Sequence, residues 1–218
     1  MRYDASLLQH PSRWKRAPFP HAVIDGLWDS ETLANITSEF PEADDSRWKT
    51  YADPEEVGKK VLDDPAHWGL FTTEYFRTAS SVEFMEDLGV LTGIGGLWND
   101  AAGGGLHETA EDGKLGMHID FNYHPQNDWP RRLNMLVFLN RLWACEWGGC
   151  LYLGRDRDVR ITPLFNRTVI FECSYTSWHG HPEPIQGAHQ RRSLATYFYT
   201  EPGSVDMGSA HTTIYRRD

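Results

Sequence analysis

No stretch of the chain approaches the roughly 20 consecutive apolar residues of a membrane-spanning helix. The opening segment, MRYDASLLQHPSRWKR, also lacks the apolar centre of an export signal. Both absences point to a soluble, cytoplasmic protein with no membrane partner. Basic charge is in deficit: 21 Lys and Arg face 31 Asp and Glu, a formal net charge of -10. Nucleic-acid binders offset phosphate with Lys and Arg, so this balance argues against a DNA or RNA partner and for small-molecule work. Cysteine is scarce as well. Cys145, Cys150 and Cys173 are odd in number and show no C-x-x-C spacing, which leaves buried free thiols rather than a disulfide framework or a thiolate zinc site. Repeats, low-complexity tracts and long Gly/Ser linkers are missing too, so residues 1–218 read as one domain.

What is present divides into a supporting part and a core. Residues 1–93 carry a short strand, His21–Ile24, and then a helix that Asp29 or Ser30 caps, with Leu33, Ile36 and Phe40 as its buried face. Residues 41–70 are polar and irregular and read as a surface segment. TASSVEFMEDLGVLTG reads as a second helix, capped by Ser80 or Ser81, ended by Gly89 or Gly93, and burying Phe84, Leu88 and Leu91. From residue 94 the pattern changes. NDAAGGGLHETAEDGK is glycine-rich and reads as a loop beside a sheet; it has no Lys-Ser/Thr to make it a phosphate loop. Short strand-like runs follow at Leu115–Phe121, Leu133–Asn140, Cys150–Leu153, Asp158–Ile161, Thr168–Glu172 and Ser193–Thr200. Helices followed by many short strands imply a mostly β protein, an antiparallel sandwich or barrel over residues 94–200 with flanking N-terminal helices and a tail at 201–218.

One of those runs, GMHIDFN, places a histidine and an aspartate on the same face of a strand, because residues two apart project together. By itself an H-x-D pair is equally well a hydrogen-bonded couple at a sheet edge. A metal site needs a third ligand, and SWHGHPEP offers His179 or His181 some 60 residues downstream. The first lies nearer the end of the preceding strand, so His179 is preferred. His118, Asp120 and His179 would form a 2-His-1-carboxylate face with open positions, the donor set suited to non-haem Fe(II). Zinc more often keeps three tight ligands and one water.

The last strand begins with two arginines, QRRSLATYFYT. A guanidinium offers two parallel donors to a carboxylate. Alternation groups Arg192, Leu194, Thr196 and Phe198 on one face and Arg191, Ser193, Ala195 and Tyr197 on the other. The first group mixes an arginine, a hydroxyl and apolar residues, as the wall of an anion pocket would. Arg192 is therefore the preferred anchor, with Arg191 as the alternative.

HID, the histidine of WHGHPEP, the arginine of RRSLATYFY and the intervening LNMLVFLNRLW and GGCLYL together resemble the Fe(II)/2-oxoglutarate-dependent oxygenases, in their prolyl-4-hydroxylase-like branch. The likeness covers residues 94–200 and, more loosely, PFPHAVIDGLW. It implies a double-stranded β-helix, a cupin-like jelly roll with N-terminal helices. It also implies Fe(II) on His118, Asp120 and His179, the last preceding a glycine as the family's ligand does. 2-Oxoglutarate would chelate the metal and pair its distal carboxylate with Arg192, and O2 would be the co-reactant. The expected products are succinate, CO2 and a hydroxylated C–H of a small-molecule or peptide substrate. Many relatives add a tyrosine hydroxyl to the carboxylate's partners. Phe138 stands at that position here, leaving Asn134 or Thr196 to supply the missing hydrogen bond.

Asn122, Trp98, Asn99, His107 and Trp178 fall near the expected mouth and are candidates for substrate contact. The alternative reading is a metal-binding, cupin-like isomerase or a non-catalytic binding module on the same barrel. Cupins usually carry H-x-H with a glutamate and lack the late arginine.

Overall fold

The computed structural model describes residues 1–101 and 103–217. Among them, eleven strands form one curled, antiparallel sheet supported by three α-helices. The strands are β1 (His21–Asp25), β2 (Lys49–Thr50), β3 (Glu56–Leu62), β4 (Gly105–Ile119), β5 (Arg131–Phe138), β6 (Leu151–Leu153), β7 (Val159–Ile161), β8 (Arg167–Glu172), β9 (His179–His181), β10 (Arg191–Tyr199) and β11 (Ile214–Tyr215). The main path runs β1-β8-β5-β10-β4-β9-β6-β7, with β3 and β11 also paired to β4. No described helix is long and apolar enough to cross a membrane.

Strand β4 organises the site because it belongs to both halves of the curl. Its first part pairs with β10 (Thr109 opposite Arg191) and its last part with β9 (His118 opposite His179). A bulge lets one strand turn between two sheet directions. Here Asp112 adopts φ 61°, and β3 is bulged opposite at Gly58, φ 66°. A side chain at Gly58 would strain that backbone and crowd the Gly113 Cα at 3.1 Å. The stretch read as a glycine-rich loop is thus a strand from Gly105 onward, and His107 lies on it.

The helices cover the outer face of the larger half. They are α1 (Ser30–Thr37), α2 (Leu70–Ala79) and α3 (Val82–Thr92). Asp29 caps α1 by accepting from the Thr32 N–H at 2.9 Å, and Ser81 caps α3 by accepting from the Phe84 N–H at 3.2 Å. Gly93, at φ 78°, ends α3. Leu33, Ile36, Phe84, Leu88 and Leu91 pack in one core with Leu106, Leu133, Met135, Val137, Leu194 and Phe198 of the sheet. The inner face carries a smaller cluster around Phe138, Leu151, Leu153, Val169 and Phe171, beside a cavity.

The segment expected to be irregular, 41–70, contains β2 and β3, and helix α2 begins at its end. No cap on α2 is visible in the local sequence, because Gly69 has no side chain to offer. Instead the Glu39 carboxylate accepts from the Phe71 and Thr72 N–H groups, both at 2.8 Å. A Cβ at Gly69 would lie 2.2 Å from the Glu39 carboxyl carbon, so the glycine makes room for this long-range cap.

Candidate metal centre

His118 and Asp120 come from the end of β4, and His179 opens β9 directly opposite His118. Their ligand atoms all lie within 4.8 Å of one another. The two imidazole rings are 4.3 Å apart, centre to centre. His118 Nε2 is 3.6 Å from Asp120 Oδ1, and His179 Nε2 is 3.4 Å from Oδ2.

Each ring is held by its other nitrogen. His118 Nδ1 is 2.8 Å from the Gly116 carbonyl, and His179 Nδ1 is 2.9 Å from the Ser177 carbonyl. A carbonyl only accepts, so Nδ1 carries the proton in both rings and each Nε2 presents its lone pair toward the carboxylate. Burial, then the neighbouring His118, push the His179 imidazole down to about 3, so it is neutral and ready to ligate at neutral pH. Burial alone would raise the Asp120 carboxyl. The Arg131 guanidinium, helped by His179 and His118, overrides it and holds Asp120 well below the usual carboxylate range.

Nothing in the local sequence singles out Arg131, one of the two adjacent arginines of WPRRL. Its side chain is fully buried, donates from Nη2 to Asp120 Oδ2 at 2.9 Å, and lies over the rings of Tyr197 (3.6 Å) and Phe121 (4.3 Å). Asn134 Nδ2 donates to the same oxygen, also at 2.9 Å. Two donors thus fix Oδ2 and set the carboxylate plane against the imidazoles.

The triad opens into a cavity that Lys59, His107, Thr109, Asn134, His181 and Arg191 also line. The arginine here is Arg191, which corrects the preference for Arg192. On β10 the even-numbered set faces the helices: Leu194 and Phe198 belong to the outer core, Thr196 Oγ1 meets the Tyr75 hydroxyl at 3.2 Å, and Arg192 Nε pairs with Glu108 at 2.9 Å. The mixed set read as a pocket wall is the surface that the helices bury. Thr196 is therefore removed from the cavity along with Arg192, and the Asn134 amide is committed to Asp120.

Arg191 is 6% exposed and donates from Nε to the Gly149 carbonyl at 2.8 Å. No described acidic side chain reaches it, and its ring neighbour is Phe138 at 4.9 Å. Burial without a counter-ion brings the guanidinium down to about 10. A buried cation lacking an anion, in the same cavity as an imidazole-carboxylate triad, fits a metal together with a carboxylate-bearing cosubstrate.

The remaining expected contacts are spread more widely. His107 lies in the cavity wall, with a buried Nε2 that finds no partner. Asn122 instead holds the C-terminal tail, donating from Nδ2 to the Met207 and Ser209 carbonyls and accepting the His211 N–H, all at 2.9 Å. Trp98 packs on Trp129 and His124, and Asn99 accepts from the Ala101 N–H. Trp178 packs beside Met117, Cys150 and Tyr152. Cys145 and Cys150 are free thiols whose sulfurs meet at 3.5 Å, and Cys145 is only partly buried.

The buried imidazoles set a pH dependence. Burial is the main cause that lowers His21, His107, His179 and His181 below the ordinary 6.5. Below that value the unfolded chain takes up protons that the folded chain refuses, so stability falls as pH falls. The metal-free protein is expected to melt several degrees lower at pH 5 than at pH 7. Circular dichroism melts with a chelator present check this, and a flat Tm would mean the rings are solvated.

Residues 104–199 match the sequence profile of the 2OG-Fe(II) oxygenase superfamily. No curated protein matches significantly. Among solved structures, a prolyl-4-hydroxylase from Pseudomonas putida superposes with a TM-score of 0.65 at 13% identity, over 90% of this chain and 98% of that one. A prolyl hydroxylase from Trichoplax adhaerens, in complex with a hypoxia inducible factor oxygen degradation domain peptide fragment, gives 0.64 at 13% identity, covering 89% and 88%. HygX from Streptomyces hygroscopicus, with nickel, 2-oxoglutarate and hygromycin B bound, gives 0.57 at 15% identity, covering 86% and 84%. At such identities the structures speak for the fold, which is the jelly roll that the resemblance implied and one form of the barrel expected from the strand pattern. Residues 104–199 thus match the 2OG-Fe(II) oxygenase superfamily, a family that uses Fe(II), 2-oxoglutarate and O2, and the chain shares its fold with prolyl hydroxylases of that kind.

Proposed function

We propose that this chain is a dioxygenase that hydroxylates an unactivated C–H of a small molecule or of an amino-acid or peptidyl residue, with release of succinate and CO2. The observation that carries the reading is Arg191, a buried cation with no acid beside it, in the cavity of the His118, Asp120 and His179 triad. That unpaired charge calls for an anionic partner beside the metal, which a cosubstrate with a distal carboxylate supplies. His118 and His179 hold Fe(II) through Nε2 and Asp120 through its carboxylate, while Arg191 takes the cosubstrate's distal carboxylate. When bound, the metal with 2-oxoglutarate and O2 supplies the oxidising power for C–H cleavage. The chain's own work is placement. The Gly116 and Ser177 carbonyls keep both imidazoles in the ligating tautomer, and Arg131 with Asn134 keeps Asp120 ionised and oriented. The buried cavity wall strengthens each of these interactions by excluding water.

The test is turnover with Fe(II), 2-oxoglutarate and a panel of amino acids, peptides and metabolites, reading succinate and the product mass. Succinate coupled to a gain of one oxygen atom is expected. Succinate with no oxygen in any product would replace hydroxylation by another outcome of the same site, and no succinate at all would return the reading to the cupin-like alternative.

A further inference from the structure

A carboxylate has acceptor capacity for more than one donor group, and neither residue expected from the sequence to join the arginine is free to do so. Phe138 has no hydroxyl, Thr196 lies on the helix side, and the Asn134 amide holds Asp120. The register of three neighbouring strands shows what stands there instead. Arg191 on β10 is opposite Thr109 on β4, and Thr109 is opposite Lys59 on β3. Cross-strand partners share a face, and adjacent strands lie about 4.8 Å apart, so the two cations flank Thr109 with their backbones about 10 Å apart. All three side chains line the cavity.

Lys59 is held in readiness. Its Nζ donates to Glu56 Oε1 at 2.7 Å, and the other oxygen of Glu56 accepts from the Tyr215 hydroxyl at 2.8 Å. An ammonium has three donors, and Glu56 uses one of them. Among the cavity-lining residues the only acid is Asp120, which Arg131 already matches. The distal end therefore presents a guanidinium and an ammonium group, of which only Lys59 has a carboxylate partner.

We infer that Lys59, carried in by the N-terminal hairpin β2–β3, is the second cation for the cosubstrate's distal carboxylate and makes the site selective for dicarboxylic 2-oxo acids. The inference rests on the cosubstrate reading given above. It assigns to the supporting N-terminal segment a direct part in binding.

Titration calorimetry on the full chain loaded with Mn(II), in the absence of O2, tests it with two ligands: 2-oxoglutarate, and 2-oxopentanoate, which keeps the 2-oxo acid head and lacks the distal carboxylate. Lys59→Met is expected to weaken 2-oxoglutarate about tenfold and to change 2-oxopentanoate by less than about twofold, while Lys59→Arg retains most of the wild-type affinity. Lys59→Gln repeats the measurement should the methionine variant fold poorly. Wild-type affinity in the Met or Gln variant, or an equal loss for both acids, overturns the inference. Arg191→Met separates the two levels. If it leaves 2-oxoglutarate binding unchanged while Lys59→Met weakens it, the anchor assignment fails and Lys59 stands. If the wild-type protein binds no 2-oxoglutarate, both readings fall.

Discussion

Replacing His118 by alanine is expected to abolish 2-oxoglutarate turnover and metal binding while leaving the fold intact; replacing Asp120 by alanine is expected to abolish both and also to destabilise the protein. The difference follows from what each side chain touches. The polar contacts of the His118 ring are Asp120 and the Gly116 carbonyl, so its loss removes a ligand and leaves a small void. Asp120 neutralises Arg131, whose side chain is fully buried. Removing one partner of a buried ion pair strands the other charge and costs about 3–5 kcal/mol. Arg131 also has Nε and Nη1 buried without hydrogen-bond partners, so no other acceptor stands ready to take over from Asp120. Calorimetric titration with Fe(II) or Mn(II), thermal melts and succinate release measure the three effects separately. The double variant Asp120→Ala with Arg131→Met is expected to recover much of the lost Tm and none of the turnover. Full turnover in either single variant would remove that residue from the metal centre. An unchanged Tm in Asp120→Ala would mean that Arg131 is solvated rather than buried.

The triad could be read from the sequence because its geometry is local twice over. Alternation alone puts His118 and Asp120 on one face, and His179 needs only a neighbouring strand to arrive opposite His118. Helices α1 and α3 were legible for the same reason, since Asp29 and Ser81 cap from within their own segments. Helix α2 was not, because Glu39 supplies its cap from 32 residues upstream of Phe71. Strand β3, EVGKKVL, hides in a polar segment because Lys59 faces the cavity and Lys60 meets Glu108 and the Ala43 carbonyl instead of a core. Arg131 looks like one of two surface arginines until the fold brings Asp120 against it. The inverted face of β10 has a different origin. Alternation gives the parity of β10, but apolar residues mixed with an arginine also suit a pocket wall. In a sheet backed by helices, the more apolar set belongs to the helix side, so Leu194 and Phe198 should have carried Arg192 outward with them.

That parity makes a crossed prediction for the two adjacent arginines. Arg191→Met should raise the KM for 2-oxoglutarate by roughly 30-fold to several thousandfold, the range given by about 2–5 kcal/mol for truncating one partner of a buried charge pair. Its folded stability should change little or rise, because the variant removes a buried cation that no acid neutralises in the free protein. Arg192→Met should do the reverse. Its guanidinium pairs with Glu108, which is 1% exposed, and lies 4.8 Å from the Phe40 ring on the helix side. Losing it leaves Glu108 with only Lys60, 3.7 Å away, so Tm should fall while the KM for 2-oxoglutarate stays at the wild-type value. Steady-state kinetics over a 2-oxoglutarate series and a thermal melt of each variant are sufficient. If Arg192→Met lost the cosubstrate and Arg191→Met did not, β10 would have to sit one residue out of its register with β4 and β5. Such a slip would turn Leu194, Thr196 and Phe198 into the cavity and withdraw them from the helices. The outer core that Leu194 and Phe198 share with Leu33 and Phe84 could not then form, and so the same packing that holds the helices in place also decides which arginine meets the cosubstrate.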